Sequence, residues 1–537
     1  MLGALETFRI RFAGRPLLLC LGFLVILLVA RRIGSRHQVV RDGSTLAAIV
    51  TSVAALVALL AYPSLAIWYA SNPHFFDNAE PVVPIVGWLF HAGRPVYPAI
   101  DAPERYAHIY GPFAFIAHGW ALRLVGPSIL VSKGLGAVAG VVSLVLTYLL
   151  AGRHVRRPVA LILTGLCALL LLLFRHYSFW TRPEPLQLLA VSASLFFASM
   201  QPGYLGVALS GAAIGILWNL KVTGPMYTLP VIALLYSRGG WKPCTAAVVL
   251  AVGVAAFPFV YYDNVSWQQY LAWLGLSGST GLLLSTLRQN LEWAIYLCLP
   301  VVLSYYAVPR SNRPGSPAWR NMLVTLVLGI TGVVIAASKP GAGPYHLIPF
   351  LPIIVFIVAW HLSQFSPRAI VDLHVAPVSL AFVITAVLIA DAQEAQFLTT
   401  MRERNRLNES DDIVQFADAH PGVVAMGYGS TESLSLARSV LAFRYNSYLL
   451  DQPAIREHQL QGLDLPASTI RAIAECRVSY WLIPKGEVPF SGRNSYSAVL
   501  LRPLYPDEFR RVFEQAHSIV GTTRYYDVWQ CHGASDR

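Results

Sequence analysis

The chain has 537 residues, of which 55% are hydrophobic and only 13% charged, about half the ~25% charge of a soluble globular protein. Its net charge of +12 comes from 40 basic against 28 acidic residues. The arginines sit in short loops between apolar runs, where they set membrane topology. This composition excludes an ordinary soluble protein and argues against nucleic acid as a partner, and no phosphate-cradling glycine loop supports ATP-driven transport.

The first apolar run, 16–30, is shorter than a comfortable span. It reads as an uncleaved anchor, re-entrant, interfacial or an N-out span, because no small-x-small cleavage site follows it. Bilayer-spanning helices are expected at 44–70, 128–151, 158–174, 184–200, 204–220, 224–237, 243–262, 291–308, 321–338, 345–362 and 374–391. The fold class is therefore a mainly α-helical polytopic membrane protein with about 11–12 spans. Its expected divisions are an N-terminal segment 1–43, a transmembrane domain 44–391 and a soluble α/β domain 392–537.

Alternate loops divide the basic residues. One set holds Arg31, Arg32, Arg36, Arg41, Arg153, Arg156, Arg157, Arg238, Lys242, Arg310, Arg313, Arg320 and Arg368. The other spreads fewer over longer loops: Arg94, Arg105, Arg123, Arg175, Arg182, Lys221, Arg288 and Lys339. The positive-inside rule makes the first set cytoplasmic, which puts the 71–127 loop and everything after Ala390 outside. Arg9, Arg11 and Arg15 break that pattern if 16–30 spans.

The 71–127 loop opens with Asp77 and Glu80, three residues apart directly after a span. On a helix that spacing puts both carboxylates on one face, where one can take a proton from a hydroxyl. The same spacing also fits a helix start, with Asp77 as N-cap and Glu80 at N3. Further along, Pro81–Phe90 (PVVPIVGWLF) and Pro112–Val125 (PFAFIAHGWALRLV) are too short to span and apolar enough to lie in the interface.

Polar clusters recur in the later outward segments. Arg175, His176, Arg182 and Glu184 share one, Lys221 and Thr223 a second, and Lys339, Tyr345 and His346 a third. Lys133 and Glu292 fall in the first turns of spans at the same side. Each alone reads as an interfacial anchor, but several cations on one leaflet suit a lipid phosphate. The histidines have no metal-ligand spacing.

The soluble domain is expected to be a small α/β unit. Strands are expected at Gly422–Gly429, Ser479–Pro484 and Tyr525–Gln530, with helices near 409–419, 467–476 and 506–516. Cys476 and Cys531 read as buried free thiols, with pairing as the alternative if the domain faces an oxidising compartment.

The outer loop resembles that of GT-C glycosyltransferases, closest to the protein mannosyltransferase and aminoarabinose transferase group. The resemblance rests on an acidic motif after an early span, Gly93-Arg94-Pro95-Val96-Tyr97, Tyr110-Gly111-Pro112 and Arg123-Leu124-Val125-Gly126. It continues in order through Thr181-Arg182-Pro183-Glu184, Leu220-Lys221-Val222-Thr223-Gly224 and Pro344-Tyr345-His346-Leu347. Here the acidic motif is D-x-x-E, where many members have adjacent D-E, so the roles of Asp77 and Glu80 are open to exchange. The match covers roughly residues 60–400, and the C-terminal domain agrees in placement only.

The resemblance implies transfer of a sugar from a polyprenyl-phosphate donor to a lipid, glycan or protein acceptor on the periplasmic face of a bacterial inner membrane, with inversion. It implies Asp77 as general base and Glu80 as its orienting partner, with Arg182, Lys221 and Lys339 on the donor phosphate. Tyr97, Tyr110, His346, Glu184 and Trp88 would line the substrate. No cofactor is required by any residue pattern, and a divalent metal stays open. Rival readings are a lipid or glycan transporter, and an assembly subunit whose outer domain binds a partner.

Overall fold

The computed structural model describes residues 15–33, 38–200, 203–307, 316–364, 375–430, 433–494 and 502–532. Arg9, Arg11, Arg36, Arg310, Arg313 and Arg368 lie outside the described residues. The protein is a mainly α-helical polytopic membrane protein with a small sheet near its C-terminus. Every expected span is helical: α2 (Gln38–Ala70), α5 (Ile129–Ala151), α6 (Arg157–Leu172), α7 (Pro183–Ala198), α8 (Tyr204–Leu220), α9 (Gly224–Gly239), α10 (Trp241–Tyr261), α12 (Leu284–Ala307), α13 (Pro317–Ala336), α14 (Leu351–Ser363) and α15 (Val375–Arg404). Among the described residues, 6 helices are long and apolar enough to cross a membrane by length and composition. The early run forms α1 (Pro16–Ile33), an 18-residue helix packed against α12.

Contacts divide the chain into two compact units. The first comprises Met1–Tyr69, Gly136–Ala255 and Leu282–Thr399; the second comprises Ala70–Leu135, Ala256–Gly281 and Thr400–Arg537.

In the first unit the segment Pro344–Ser363 is central, with 83% of its most apolar window buried. Neighbouring helices are joined by polar side chains that reach backbone carbonyls of the next helix. Tyr62 donates to the Ser178 carbonyl at 3.1 Å, Asn290 to Ala337 at 2.8 Å and Tyr296 to Phe382 at 2.9 Å. In an apolar surround such bonds orient helices, because no water competes for the acceptor.

The second unit holds α3 (Val82–His91) and α4 (Pro112–Val125). At ~1.5 Å per residue these helices reach only about 15 and 21 Å, short of a ~30 Å hydrocarbon core. They cross at Gly87 and Gly119: a Cβ on either would fall against the other's backbone. A third stretch supports them. Asn264 donates its amide to the carbonyls of Phe90 and Arg94 at 2.8 and 3.0 Å, and α11 (Trp267–Ser277) offers Trp273 to the Pro98 carbonyl at 2.8 Å.

The C-terminal part of the second unit contains α16 (Glu409–Ala419), β1 (Val424–Met426), α17 (Arg438–Tyr445), α18 (Gln452–Leu460), α19 (Ala467–Ala474), β2 (Tyr480–Pro484), α20 (Asp507–Ala516), β3 (His517–Thr522) and β4 (Tyr526–Cys531). The sheet order is β1-β2-β4-β3; β1 runs parallel to β2 and the other neighbours are antiparallel. All of β2 is buried. Its period of two sends Trp481 and Ile483 into a cluster with Phe490, Phe509 and Phe513, and Tyr480 and Leu482 into one with Ile413, Phe416 and Val528.

Cys476 and Cys531 form a disulfide, which overturns the free-thiol reading. They lie 55 positions apart, and the antiparallel pairing of β4 with β2 brings their Cα atoms to 5.8 Å. Cys20, Cys167, Cys244 and Cys298 are free.

Candidate active site

In the second unit, Asp77 and Glu80 sit on a turn that precedes α3, which starts at Val82 with Pro81 as its N-cap. They cap that turn reciprocally. Glu80 Oε1 accepts the backbone N–H groups of Phe76 and Asp77 at 3.0 and 2.9 Å. Asp77 Oδ1 accepts the N–H of Ala79 at 2.7 Å. The helix-start alternative of the sequence is therefore realised one turn early, with the helix itself beginning after Pro81.

The two carboxylates are not equivalent. Glu80 is 0% exposed, with Oε1 on two backbone N–H groups and the buried Lys133 in electrostatic contact with it. Asp77 is half-buried, and its Oδ2 makes no hydrogen bond within the described residues.

Two cations hold the backbone of this turn. Lys133, buried near the start of α5, donates to the carbonyls of Asn72 and His74 at 2.6 and 2.8 Å. Arg404, in the last turn of α15, donates to the carbonyls of Phe75 (2.7 Å) and Phe76. Burial, with Lys133 and Arg404 nearby, pushes the His74 imidazole below its usual range. The turn thus presents one carboxylate oxygen from a backbone pinned at four consecutive or near-consecutive carbonyls.

The aromatic residues expected to line a substrate have other work in this unit. Tyr97 is 1% exposed and donates its hydroxyl to the Tyr110 carbonyl at 2.6 Å. The Tyr110 ring stacks on His108. Trp88 donates to the Phe443 carbonyl at 3.0 Å and to Asn446 Oδ1 at 2.8 Å. Tyr97 and Tyr110 hold the loop together, and Trp88 ties it to the helix Arg438–Tyr445 and the residue after it.

In the first unit, the Arg182, Lys221 and His346 segments meet. Lys221 follows the last residue of α8 with an extended backbone, φ −164° and ψ 149°, before α9 begins. This break turns its side chain inward, where Nζ lies 2.8 Å from Glu184 Oε1 and 3.3 Å from His346 Nδ1. A donating ammonium makes Nδ1 the acceptor, so the imidazole proton is on Nε2. Glu184, in the first turn of α7, takes the Trp180 indole N–H on its other oxygen at 3.0 Å.

Arg182 is the N-cap residue of α7. Its guanidinium lies 4.4 Å over the Trp180 ring and donates to the Tyr345 hydroxyl at 3.2 Å. His346 and Tyr345 come from a 3-10 turn, Pro344–Phe350, fixed by the Tyr227 hydroxyl on the His346 carbonyl at 2.8 Å. Lys339 is within electrostatic reach of Lys221 and His346. Three cations therefore share this cluster with one carboxylate, a balance that suits a dianionic phosphate. Glu292, by contrast, pairs with Arg288 one turn away at 3.4 Å.

Arg404, Arg438, Asp451 and the role of His108 were not readable in the sequence, since each acts on residues more than 300 positions away. Among the described residues no group of three or more His, Cys, Asp or Glu side chains is placed to hold a metal ion.

No family model matches the chain, and no curated protein matches it in sequence. Among solved structures it is similar to ArnT from Cupriavidus metallidurans bound to undecaprenyl phosphate, at 12% identity and a TM-score of 0.48, over 91% of this chain and 98% of that one. It is also similar to the Archaeoglobus fulgidus oligosaccharyltransferase in complex with Zn and sulfate, at 14% identity and a TM-score of 0.43, over 88% of this chain and 73% of that one. ArnT is an aminoarabinose transferase, the group whose motifs the sequence resembles. Likenesses of this size carry nothing about activity.

Proposed function

We propose that the protein is a membrane glycosyltransferase that moves a sugar from a polyprenyl-phosphate carrier to a hydroxyl-bearing lipid, glycan or protein acceptor outside the cytoplasmic membrane. The observation that carries this reading is the asymmetry of the acidic turn. Glu80 is buried, with Oε1 on two backbone N–H groups and Lys133 in electrostatic contact, while half-buried Asp77 keeps one oxygen unbonded.

In this reading Asp77 is the general base that takes the acceptor hydroxyl proton, and Glu80 orients the turn. The nucleophile then attacks the sugar opposite the phosphate, with inversion. Arg182, Lys221 and Lys339 bind the donor phosphate and stabilise the charge that develops as the sugar–oxygen bond breaks. Glu184 holds Lys221 in place and keeps it charged.

The disulfide supports an extracytoplasmic C-terminal domain, because such bonds persist in oxidising compartments. A transporter would favour ionisable groups near the middle of broken helices. Here Glu184 and Lys221 lie at helix ends, which favours the enzyme.

The test is label transfer by the purified protein in lipid nanodiscs. The donor is a radiolabelled pool of polyprenyl-phosphate sugars, and the acceptor is crude cell envelope. Label moving to the envelope with release of free polyprenyl phosphate supports the reading. Label crossing sealed vesicles without any change in chemical form overturns it in favour of transport.

A further inference from the structure

We propose that the C-terminal domain is a working part of the transfer site, because its Arg438 positions the turn that carries Asp77 and Glu80. This rests on the transferase reading above and assigns a task to a domain that the motifs leave without one.

Arg438 is the first residue of α17 and is 1% exposed. A guanidinium has five N–H donors, and here each has an acceptor. Nε donates to the Tyr448 hydroxyl at 2.7 Å. One terminal nitrogen donates to Asn78 Oδ1 at 2.7 Å and to the Ser435 carbonyl at 3.0 Å. The other donates to the Asn78 carbonyl at 2.5 Å and to Asp451 Oδ1 at 2.9 Å. Asn78 is the residue after Asp77. Arg438 therefore grips both the side chain and the backbone of the first of the two residues between the acids.

The far side of this grip is itself fixed. Asp451 is fully buried and accepts from Arg438 and Tyr448 on Oδ1, and from the Ala454 N–H at 3.0 Å and His108 Nε2 at 3.1 Å on Oδ2. His108 belongs to the same outer loop as the acids, and its Nδ1 lies 3.6 Å from Glu457. The backbone agrees: Arg105 N–H donates to the Leu449 carbonyl at 2.7 Å, and Asp451 N–H to the Arg105 carbonyl at 2.9 Å. Two cations, Arg438 and His108, face two carboxylates, the buried Asp451 and the partly exposed Glu457, so the charges of the network balance.

A two-bond grip on Asn78 by a guanidinium whose other three N–H groups are also bonded is more than holding the domain to the loop requires. Arg105, Trp88 and His458 already do that through bonds elsewhere along the loop. What the Arg438 contact adds is a fixed azimuth for the Asp77 carboxylate. Arg438 is a positioning residue, and its effect falls on turnover: a base displaced by about 1 Å loses on the order of 10²-fold in rate.

The experiment uses the full-length protein in nanodiscs, with the radiolabelled polyprenyl-phosphate sugar pool as donor and crude envelope as acceptor. Arg438→Lys, Arg438→Gln, Asn78→Ala and the Arg438→Gln/Asn78→Ala double variant are compared with Asp77→Asn. Asn78→Ala keeps the domain's own core and guards against misfolding of the arginine variants. The expected result is a fall in maximal rate on the order of 10²-fold for Arg438→Gln and for Asn78→Ala, at unchanged donor KM. Arg438→Lys should recover part of it, and the double variant should be no worse than either single. Amide exchange at residues 76–80 should quicken in each.

Wild-type maximal rates in Asn78→Ala and Arg438→Gln, with Asp77→Asn inactive, would overturn the positioning role and leave the transferase reading standing. Losses that multiply in the double variant would overturn it too. Wild-type transfer by Asp77→Asn would remove the base assignment, and the positioning role with it.

Discussion

Glu80 accepts the backbone N–H of Asp77 at 2.9 Å while Asp77 accepts that of Ala79 at 2.7 Å, so each acid helps to shape the turn that presents the other. The consequence for mutagenesis is that the two acids fail differently. Glu80→Gln keeps a carbonyl oxygen for the N–H groups of Phe76 and Asp77, and should retain fold and part of the rate. Glu80→Ala strands two part-buried donors, at no more than about 1–3 kcal/mol each. Thermal unfolding alongside label transfer separates these effects.

The buried Lys221–Glu184 pair gives a second prediction. Glu184→Ala leaves an ammonium without its carboxylate and should destabilise by about 3–5 kcal/mol. Lys221→Met combined with Glu184→Leu removes both charges and should restore most of that stability, yet transfer should stay lost. Recovery of transfer in the double variant would mean that Lys221 serves only the fold.

The His108–Asp451 contact predicts a pH window. Burial lowers the His108 imidazole, but Asp451 and Glu457 outweigh it and lift it to about 9. Burial raises the Asp451 carboxyl, but Arg438 and His108 outweigh it and bring it to about 2. A raised histidine contributes stability that is complete below its unfolded value near 6.5 and is lost as pH rises through about 9. A depressed aspartate contributes stability that is complete above its unfolded value near 3.8 and is lost as pH falls through about 2.

The pair is therefore strongest between about pH 4 and 6.5. Wild type should lose up to about 3 kcal/mol between pH 6.5 and 9.5 through His108. Burial also lifts Glu409 to about 7, with the same sign, so its ionisation weakens the fold as pH rises. The difference between wild type and His108→Gln unfolding curves isolates the histidine.

The disulfide closes a 55-residue separation, for which chain entropy gives about 4 kcal/mol. Cys476→Ser should lower the unfolding temperature of the C-terminal domain by a corresponding amount. Thiol labelling of the denatured wild type should count Cys20, Cys167, Cys244 and Cys298 without reductant, and all six cysteines with it.

The helices were legible because the bilayer demands long apolar runs, and those runs are unbroken in sequence. The short apolar stretches at Val82–His91 and Pro112–Val125 were equally plain from their length. In the C-terminal domain, the helix at Glu409–Ala419 and the strand at Tyr480–Pro484 follow their patterns. The helices Arg438–Tyr445 and Gln452–Leu460 and the exposed edge strand β3 do not, being short and poor in periodic signal.

At the site, spacing marked Asp77 and Glu80 but left their roles open. Only their burial and bonding tell them apart. Lys221 was visible as a cation after an apolar run, but its Glu184 partner, 37 positions earlier, was not. Tyr97 and Tyr110 show the converse: their motif positions are clear, and the structure spends both on packing.

The most direct measurement is sugar transfer by Asp77→Asn with donor binding followed in the same preparation. Asparagine can keep the Oδ1 bond to Ala79 and so the turn, but it cannot take a proton. Transfer reduced by about 10²–10⁴-fold with donor binding intact is the expected result. Transfer at the wild-type rate would contradict the assignment of Asp77 as the base.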